Sequence, residues 1–395
     1  MPALIRSIED DFAQTDAAVG GYFFVFAAFY AIGSFGGGML TERSGRRAVL
    51  SIAGLLIGIG LIGQALSPNW VIFLAAGVPT GWAAGAIDGG INGLFLALYP
   101  QSRGGALNLL HLFFALGALT SPFLVGQLVS AGLSWQVVMI ATGSVAVVLG
   151  LLLARTHMPS GRTRQVEPLG GTPGTGSSHR RSQPGAAWPF AALAIAIGCY
   201  VASEVGVSNW LVRFLSSAPL GIATASLSLL WGGLTLGRLL SSRIADRLHP
   251  VAFAGASVAL ASAALIAAVV VPSLPVSIAL FTLGGFFFGP VYPMIMVVGG
   301  TLYPHRLAAV SGGLGAAAVA GSVFYPPVMG FLSDRIGLAA GMIGAGVLAA
   351  ASALALVGAS LAARRMASPS VAPAAAAPPA GSPPPTRPAP PAARE

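Results

Sequence analysis

The sequence predicts an all-α membrane protein whose eleven transmembrane helices form two repeated bundles. Three observations carry that expectation. Apolar residues make up 55% of the 395 residues and charged residues only 8%. The apolar residues gather into eleven runs, and a helix needs about 20 such residues to cross a bilayer core of about 30 Å. Finally, when the runs alternate across a membrane, seventeen of the twenty arginines fall on one side and three on the other, as the positive-inside rule requires. Lipid offers the backbone no hydrogen-bond partner, so each run must satisfy itself as a helix. Runs this continuous exclude the alternating ten-residue strands of an outer-membrane barrel.

In chain order the runs are Gly20–Leu40, Ala48–Leu66, Trp70–Ala97, Gly105–Val129 and Trp135–Ala154, then Trp188–Leu211, Leu220–Leu240, Val251–Val271, Val276–Gly300, Leu307–Leu332 and Ala339–Ala362. Residues 1–155 therefore read as an amino-terminal bundle of five spans, and residues 187–365 as a carboxy-terminal bundle of six. Between them, residues 156–186 are rich in Gly, Ser, Pro and Arg and read as a flexible linker. Residues 366–395 are an Ala/Pro tail with few large apolar side chains, expected to stay disordered. The stretch Met1–Ala17 holds Glu9, Asp10, Asp11 and Asp16 and shows no signal peptide.

The net charge of +9 does not indicate a nucleic-acid partner. With the Gly38–Arg47 loop placed inside, only Arg6, Arg213 and Arg335 fall outside. The basic excess thus orients the chain in a lipid bilayer. Cys199, the one cysteine, lies inside a span, which excludes an intrachain disulfide. There is no His/Cys metal cluster and no Ser–His–Asp set, so neither a cofactor nor an enzymatic activity is expected.

Gly38-Met39-Leu40-Thr41-Glu42-Arg43-Ser44-Gly45-Arg46-Arg47 lies between the first two runs. It resembles the cytoplasmic loop motif that joins helices two and three in the major facilitator superfamily of secondary transporters. Only one run precedes it here, so the resemblance implies a chain without the first family helix, either because the true start lies upstream or because the protein is an eleven-helix form. The two parts also resemble each other. Leu98-Tyr99-Pro100 ends the third span and Leu302-Tyr303-Pro304 ends the ninth, 204 residues later. Gly237-Arg238 followed by Asp246-Arg247 repeats the loop motif. The expected architecture is the major facilitator fold, with two pseudo-repeated helical bundles.

Two acids lie deep inside spans, Asp88 and Glu204. A charge at that depth costs roughly 2.5 kcal/mol or more, so such an acid usually faces a cavity and titrates or pairs. Asp88 and Asn92 share a helical face at i, i+4, and Asn108 and His111 share one at i, i+3 on the next span. A carboxyl, two amides and an imidazole could converge there and exchange a proton. The plainer alternatives are a structurally paired acid and a packing histidine.

Asp88-Gly89-Gly90-Ile91-Asn92, Leu107-Asn108-Leu109-Leu110-His111 and Phe114-Ala115-Leu116-Gly117-Ala118-Leu119 together resemble the fucose/galactose/glucose–proton symporter group of this superfamily. Tyr200 to Leu211 resembles its seventh helix. The resemblance implies a proton-coupling role for Asp88, where Asp stands for the more usual Glu. Glu204 and His111 are the further proton-coupling candidates. Asn92, Asn108, Asn209, Trp210, Trp231 and Tyr292 are the candidates for solute contact, against the alternatives of lipid-interface anchoring and core packing. Glu42, Arg43, Arg46, Arg47, Arg238 and Asp246 are read as a cytoplasmic gate of paired charges. Gly33, Gly36, Gly37, Gly38, Gly54 and Gly58 read as sites of close helix approach.

The expected function is proton-coupled transport of a small polar solute, a sugar or related compound, by a monomer in a bacterial inner membrane. A drug–proton antiporter is a rival. It is weakened because Ser121-Pro122-Phe123-Leu124-Val125-Gly126 matches the antiporter motif only in part. A non-transporting membrane sensor or scaffold is a third reading.

Overall fold

A computed structural model describes residues 1–99, 103–156, 158, 187–303 and 306–367. The expected linker and tail lie outside the described residues. The helices are α1 (Ile5–Phe12), α2 (Asp16–Ser44), α3 (Arg46–Ala65), α4 (Trp70–Leu98), α5 (Arg103–Ser130), α6 (Trp135–Arg155), α7 (Ala187–Phe214), α8 (Leu220–Ile244), α9 (Pro250–Val270), α10 (Leu274–Phe288), α11 (Val291–Leu302), α12 (Leu307–Ile336) and α13 (Leu338–Ala367). Among the described residues, eleven segments are long and apolar enough to cross a membrane, with α10 and α11 together forming one of them.

Local signals set the helix ends. Thr15 caps α2 by accepting the Ala18 N–H at 3.3 Å, and Ser134 caps α6 by accepting that of Val137 at 3.4 Å. Asn69 accepts the Ile72 N–H at 3.0 Å where α4 begins. Between α2 and α3 the chain reverses on one residue, Gly45, at φ 84°. That conformation is open to glycine and strained for other residues, which accounts for the second glycine of the loop motif.

The halves are assembled alike. In the first, α2 packs on α4, and α3 packs on α4 and α6; in the second, α8 packs on α10, and α9 packs on α10 and α13. In the second half α7 packs on α12 and α13. Lipid supplies no hydrophobic drive between helices, so small residues that let backbones touch decide which faces meet. A Cβ on Gly33 would run into the Trp82 backbone, and one on Gly37 into Ala86. Gly81 and Gly85 receive the Phe26 and Tyr30 carbonyls in return. Gly54 and Gly58 lie against Gly150 and Gly143, while Gly36 has nothing within 4 Å of a built Cβ. Gly85→Val is therefore expected to lower the yield of monodisperse protein several-fold. It forces side-chain atoms onto the Tyr30 carbonyl, and overpacking of this kind costs about 1–3 kcal/mol. Gly36→Val is the matched control. Fluorescence-detected size-exclusion profiles of the two variants check this, and equal profiles would refute it.

The halves meet through two symmetry-related pairs, α2 with α12 and α5 with α8. The hydrogen bonds and ion pairs that join them gather at the end where α2 begins, here the Asp16 end. The Phe123 N–H donates to Ser228 Oγ at 3.0 Å, and Phe24 meets Phe324 with ring centroids 6.3 Å apart. A Cβ on Gly20 would lie 3.0 Å from Pro327 Cα. Further along α5, the Phe114 ring meets Trp231 edge-on at 6.2 Å. Phe113 and Phe114 are 65% and 63% exposed, so α5 is uncovered at these two residues.

Candidate functional site

The centre of the site is a break in one helix. The span beginning at Leu274 is interrupted at Gly289-Pro290, where α10 ends and α11 begins. Pro290 has no N–H to continue the ladder. Gly289 lies hard against α8: its built Cβ would stand 2.6 Å from the Gly237 carbonyl carbon and 2.8 Å from the Leu234 oxygen. Only glycine lets the two backbones come this near. Gly289 and Pro290 both keep right-handed helical dihedrals, so the span is interrupted by the missing bond at Pro290 without unwinding.

Three side-chain groups surround the break. Trp231, Thr235 and Arg238 share one face of α8 at i, i+4, i+7. Gly237 packs so closely on Phe286 that Arg238 is placed beside the break, and its Nε donates to the Gly289 carbonyl at 3.4 Å. Arg238 is exposed. On α7, Tyr200 donates its hydroxyl to Glu204 Oε2, and Ser208 Oγ donates to the Glu204 carbonyl at 2.8 Å. The Tyr200 ring packs edge-on against Phe288 at 5.4 Å, next to the break. Arg238 stands beside the Tyr200 hydroxyl and within electrostatic reach of Glu204. Tyr292, in the first turn of α11, feels Glu204, Arg238 and, from the other half, Asp88.

Across the interface, Asp88 is half-buried on α4. Asn92 Nδ2 donates to its carbonyl oxygen at 2.9 Å and to its Oδ1 at 3.1 Å. The Tyr30 hydroxyl of α2 lies against the same carboxyl, drawn there by the glycine packing of α2 on α4. The Asn92 oxygen is buried and has no hydrogen-bond partner, which leaves it free as an acceptor. The side chains of Asn108 and His111 lie outside the described residues, so the structure does not test their part in this cluster.

The structure places the other sequence-derived candidates differently. Trp210 is fully buried, donates its ring N–H to the Pro326 carbonyl at 2.9 Å and packs edge-on against Phe23. It is core at the α2–α7–α12 junction and does not face a solute. Asn209 beside it is half-buried. Trp231 stands where the halves meet, opposite Phe114. Arg238, read from the loop repeat as part of a cytoplasmic gate, stands six residues inside the end of α8, beside Gly289 and Tyr200. The side chains of Glu42 and Asp246 lie outside the described residues. Arg43 and Arg47 are exposed, and Arg46 and Arg47 line a shallow pocket of about 420 Å³.

Sequence reasoning missed a charge cluster at the Asp16 end. Arg213 Nε, near the end of α7, lies 2.7 Å from Glu9 Oε2 and 2.9 Å from Asp16 Oδ1. Ser333 of α12 also donates to Asp16. Asp334 accepts the Ala17 N–H at 3.2 Å, and a carboxylate at the start of α2 is favoured by the helix dipole. Arg6 donates to the carbonyls of Val212 at 2.7 Å, Ala218 at 2.8 Å and Leu215, in the last turn of α7 and the turn that follows it. Asp11 holds α1 to α6 by accepting from Trp135 Nε1 at 3.0 Å and Gln136 Nε2 at 2.7 Å. Burial and the neighbouring Asp16 push the Glu9 carboxyl up to about 8, against the pull of Arg213. Glu9, Asp16, Arg213, Ser333 and Asp334 line a pocket of about 570 Å³. The signal was available: Arg6, Arg213 and Arg335 are the arginines assigned outside, and four acids of Met1–Ala17 fall on that side.

Among the described residues, eleven spans in two like-built halves, meeting around a broken helix and two half-buried acids, define a multi-pass membrane transporter. The chain belongs to the Major Facilitator Superfamily, whose sequence pattern matches residues 1–314. Members of that family are transporters and not enzymes. Among curated proteins, the chain is similar to the inner membrane transport protein YdiN of Escherichia coli, 25% identical over 123 residues, or 31% of this chain and 29% of that one. It is also similar to a putative glucose/galactose transporter of Helicobacter pylori, 28% identical over 146 residues, or 36% of this chain and 35% of that one. The chain thus matches about a third of the length of these relatives. Among solved structures, a bacterial homologue of the lysosomal transporter Spinster, inward-facing and occupied, superposes with TM-score 0.69 at 17% identity, covering 93% of this chain and 92% of that one. The nucleoside transporter NupG gives TM-score 0.68 at 14% identity over 92% of this chain and 94% of that one. Both likenesses establish the fold alone.

Proposed function

We propose that the protein is a proton-coupled secondary transporter of a small polar solute, a sugar or related compound, acting as a monomer by alternating access in a bacterial inner membrane. One observation carries this reading: Asp88 of one half and Glu204 of the other both act on Tyr292 at the broken helix. A solute held between the halves would contact both acids, so its binding and their protonation are linked. The contacts across the Asp16 end and the exposure of Phe113 and Phe114 on α5 fit one state of an alternating cycle. The likeness over part of the chain to a putative glucose/galactose transporter supports the solute class.

The test is accumulation in proteoliposomes. With an inside-alkaline pH gradient, labelled glucose, galactose or a close analogue should concentrate inside, and an uncoupler should abolish the gain. Accumulation that ignores the pH gradient would overturn the coupling. The charge asymmetry further predicts that the Asp16 end faces out. In a Cys199→Ser background, Ala131→Cys should react with an impermeant maleimide in intact cells and Thr175→Cys should not. The reverse pattern would invert the orientation.

A further inference from the structure

Arg238 is a guanidinium at membrane depth, on a span, with no carboxylate within ion-pair distance among the described residues: the two ion pairs there both belong to Arg213. Its Nε is held by the Gly289 carbonyl at 3.4 Å. Its guanidinium also stands beside the Tyr200 hydroxyl. The side chain is exposed and continues the face of α8 that carries Trp231 and Thr235. Trp231 meets α5 through Phe114, and Arg238 lies two turns further along the same face of α8. An unpaired arginine is costly at this depth unless something offsets its charge. The carboxylate nearest in influence, Glu204, is already engaged by the Tyr200 hydroxyl.

We propose that Arg238 is the receptor for a negatively charged group of the solute, a carboxylate or phosphate held against the break between α10 and α11, so that the transported compound is a small hydroxylated organic anion and not a neutral sugar. The inference rests on the transport reading above and narrows its solute class. A guanidinium held through Nε presents its two remaining nitrogens as a planar fork that matches two oxygens of a carboxylate or phosphate. The side-chain position of Gly289 is filled by the α8 backbone, so the group would sit on the exposed side of the Arg238 guanidinium. Tyr292 supplies a half-buried hydroxyl near Arg238, and Asn92 supplies an acceptor without a partner from the opposite half. These are suited to the uncharged, hydroxylated remainder of such a molecule. Arg238 supplies one positive charge, which a bound monoanion cancels.

The test uses the purified full chain in lipid nanodiscs and reads thermal unfolding against ligand concentration. The probes are matched pairs: D-glucuronate and glucose 6-phosphate against D-glucose, and D-gluconate against D-sorbitol. At least one acid should stabilise the protein with saturable affinity while its neutral partner does not, and the acid that binds tells a carboxylate from a phosphate site. Arg238→Gln should weaken that affinity about 10- to 100-fold, the usual worth of a charge-assisted hydrogen bond. Arg238→Lys should lose part of it, keeping the charge without the fork. If Arg238→Gln does not purify as a folded protein, Arg238→Lys decides alone: several-fold weaker binding at an unchanged unliganded Tm supports the site, and unchanged affinity overturns it. The proposal also falls if a neutral partner binds as tightly as its acid, or if no acid binds the wild type at millimolar concentration. Failure here differs from failure of the transport reading. A neutral sugar driven by a pH gradient sinks the anion site and leaves coupled transport standing. An acid that binds but is never accumulated does the opposite.

Discussion

Asp88→Asn is expected to abolish uphill accumulation of solute while leaving counterflow. Counterflow exchanges solute for solute and needs no net proton movement, and Asn preserves most of the hydrogen-bonding shape that Tyr30 and Asn92 meet at this position. The effect on accumulation should reach the limit of detection, because a coupling carboxyl that cannot take up a proton leaves the gradient disconnected from the solute. A merely structural acid behaves otherwise: its loss lowers folded protein and reduces both assays together. Accumulation by Asp88→Asn with a wild-type pH dependence would remove Asp88 from the coupling path. Glu204→Gln belongs in the same experiment. From the sequence Glu204 looks the poorer candidate, because no amide stands near it. The structure surrounds it with Tyr200, Arg238 and Tyr292, so its loss should disturb solute affinity as well as coupling.

Arg213→Gln should release the Asp16 end. The wild-type guanidinium links Glu9 and Asp16, which belong to the first half, to the end of α7 in the second. Removing it leaves two neighbouring carboxyls without their counter-charge. Losing the charge-assisted contacts should shift the balance of closed and open forms about 10- to 100-fold. Spin labels at Ala131→Cys and Ser217→Cys, one in each half, read the change as a longer and broader distance distribution, and an unchanged distribution would show that the cluster does not hold the halves together. The same cluster predicts a pH dependence. Glu9 holds its proton more tightly in the closed form than in water, so protonation favours closure. That contribution is complete below the ordinary carboxyl value of 4.5 and is lost as pH rises through about 8. Between pH 6 and 9 the wild-type distribution should therefore shift towards the open form. Glu9→Gln, which cannot ionise, should stay closed across that range. A wild-type distribution that does not move with pH would refute this role.

Much of the fold is legible in the chain because membrane spans are encoded locally. A run of about 20 apolar residues has one way to satisfy its backbone in lipid, so the eleven runs agree with the eleven spans among the described residues. The packing glycines are legible for the same reason: Gly33, Gly37, Gly54 and Gly58 stand at helical spacing and meet backbone as expected. The site was only half legible. Asp88 with Asn92 is a contact within one helix, fixed by a spacing of four residues. Tyr30 against Asp88, and Arg238 beside Tyr200, join different helices, and no local pattern says which turns will face each other. Trp210 shows the same limit. An aromatic next to a polar residue can face a cavity or the core, and here the Pro326 carbonyl takes its N–H and settles the matter.

By itself the sequence determined the class of protein, the number of spans, the motif that marks the family and the two acids at membrane depth. Each follows from composition or from residues within a turn or two of one another. Only the tertiary structure decided what those acids touch, that Arg238 stands beside Gly289 and Tyr200, and that Arg6, Glu9, Asp16 and Arg213 tie the halves together at one end. Those contacts bridge residues about 200 positions apart in the chain, with Arg213 and Asp16 separated by 197 and Arg6 and Val212 by 206. Their energy depends on distances of a few ångströms between helices, which the packing of glycine on backbone sets and no single segment encodes.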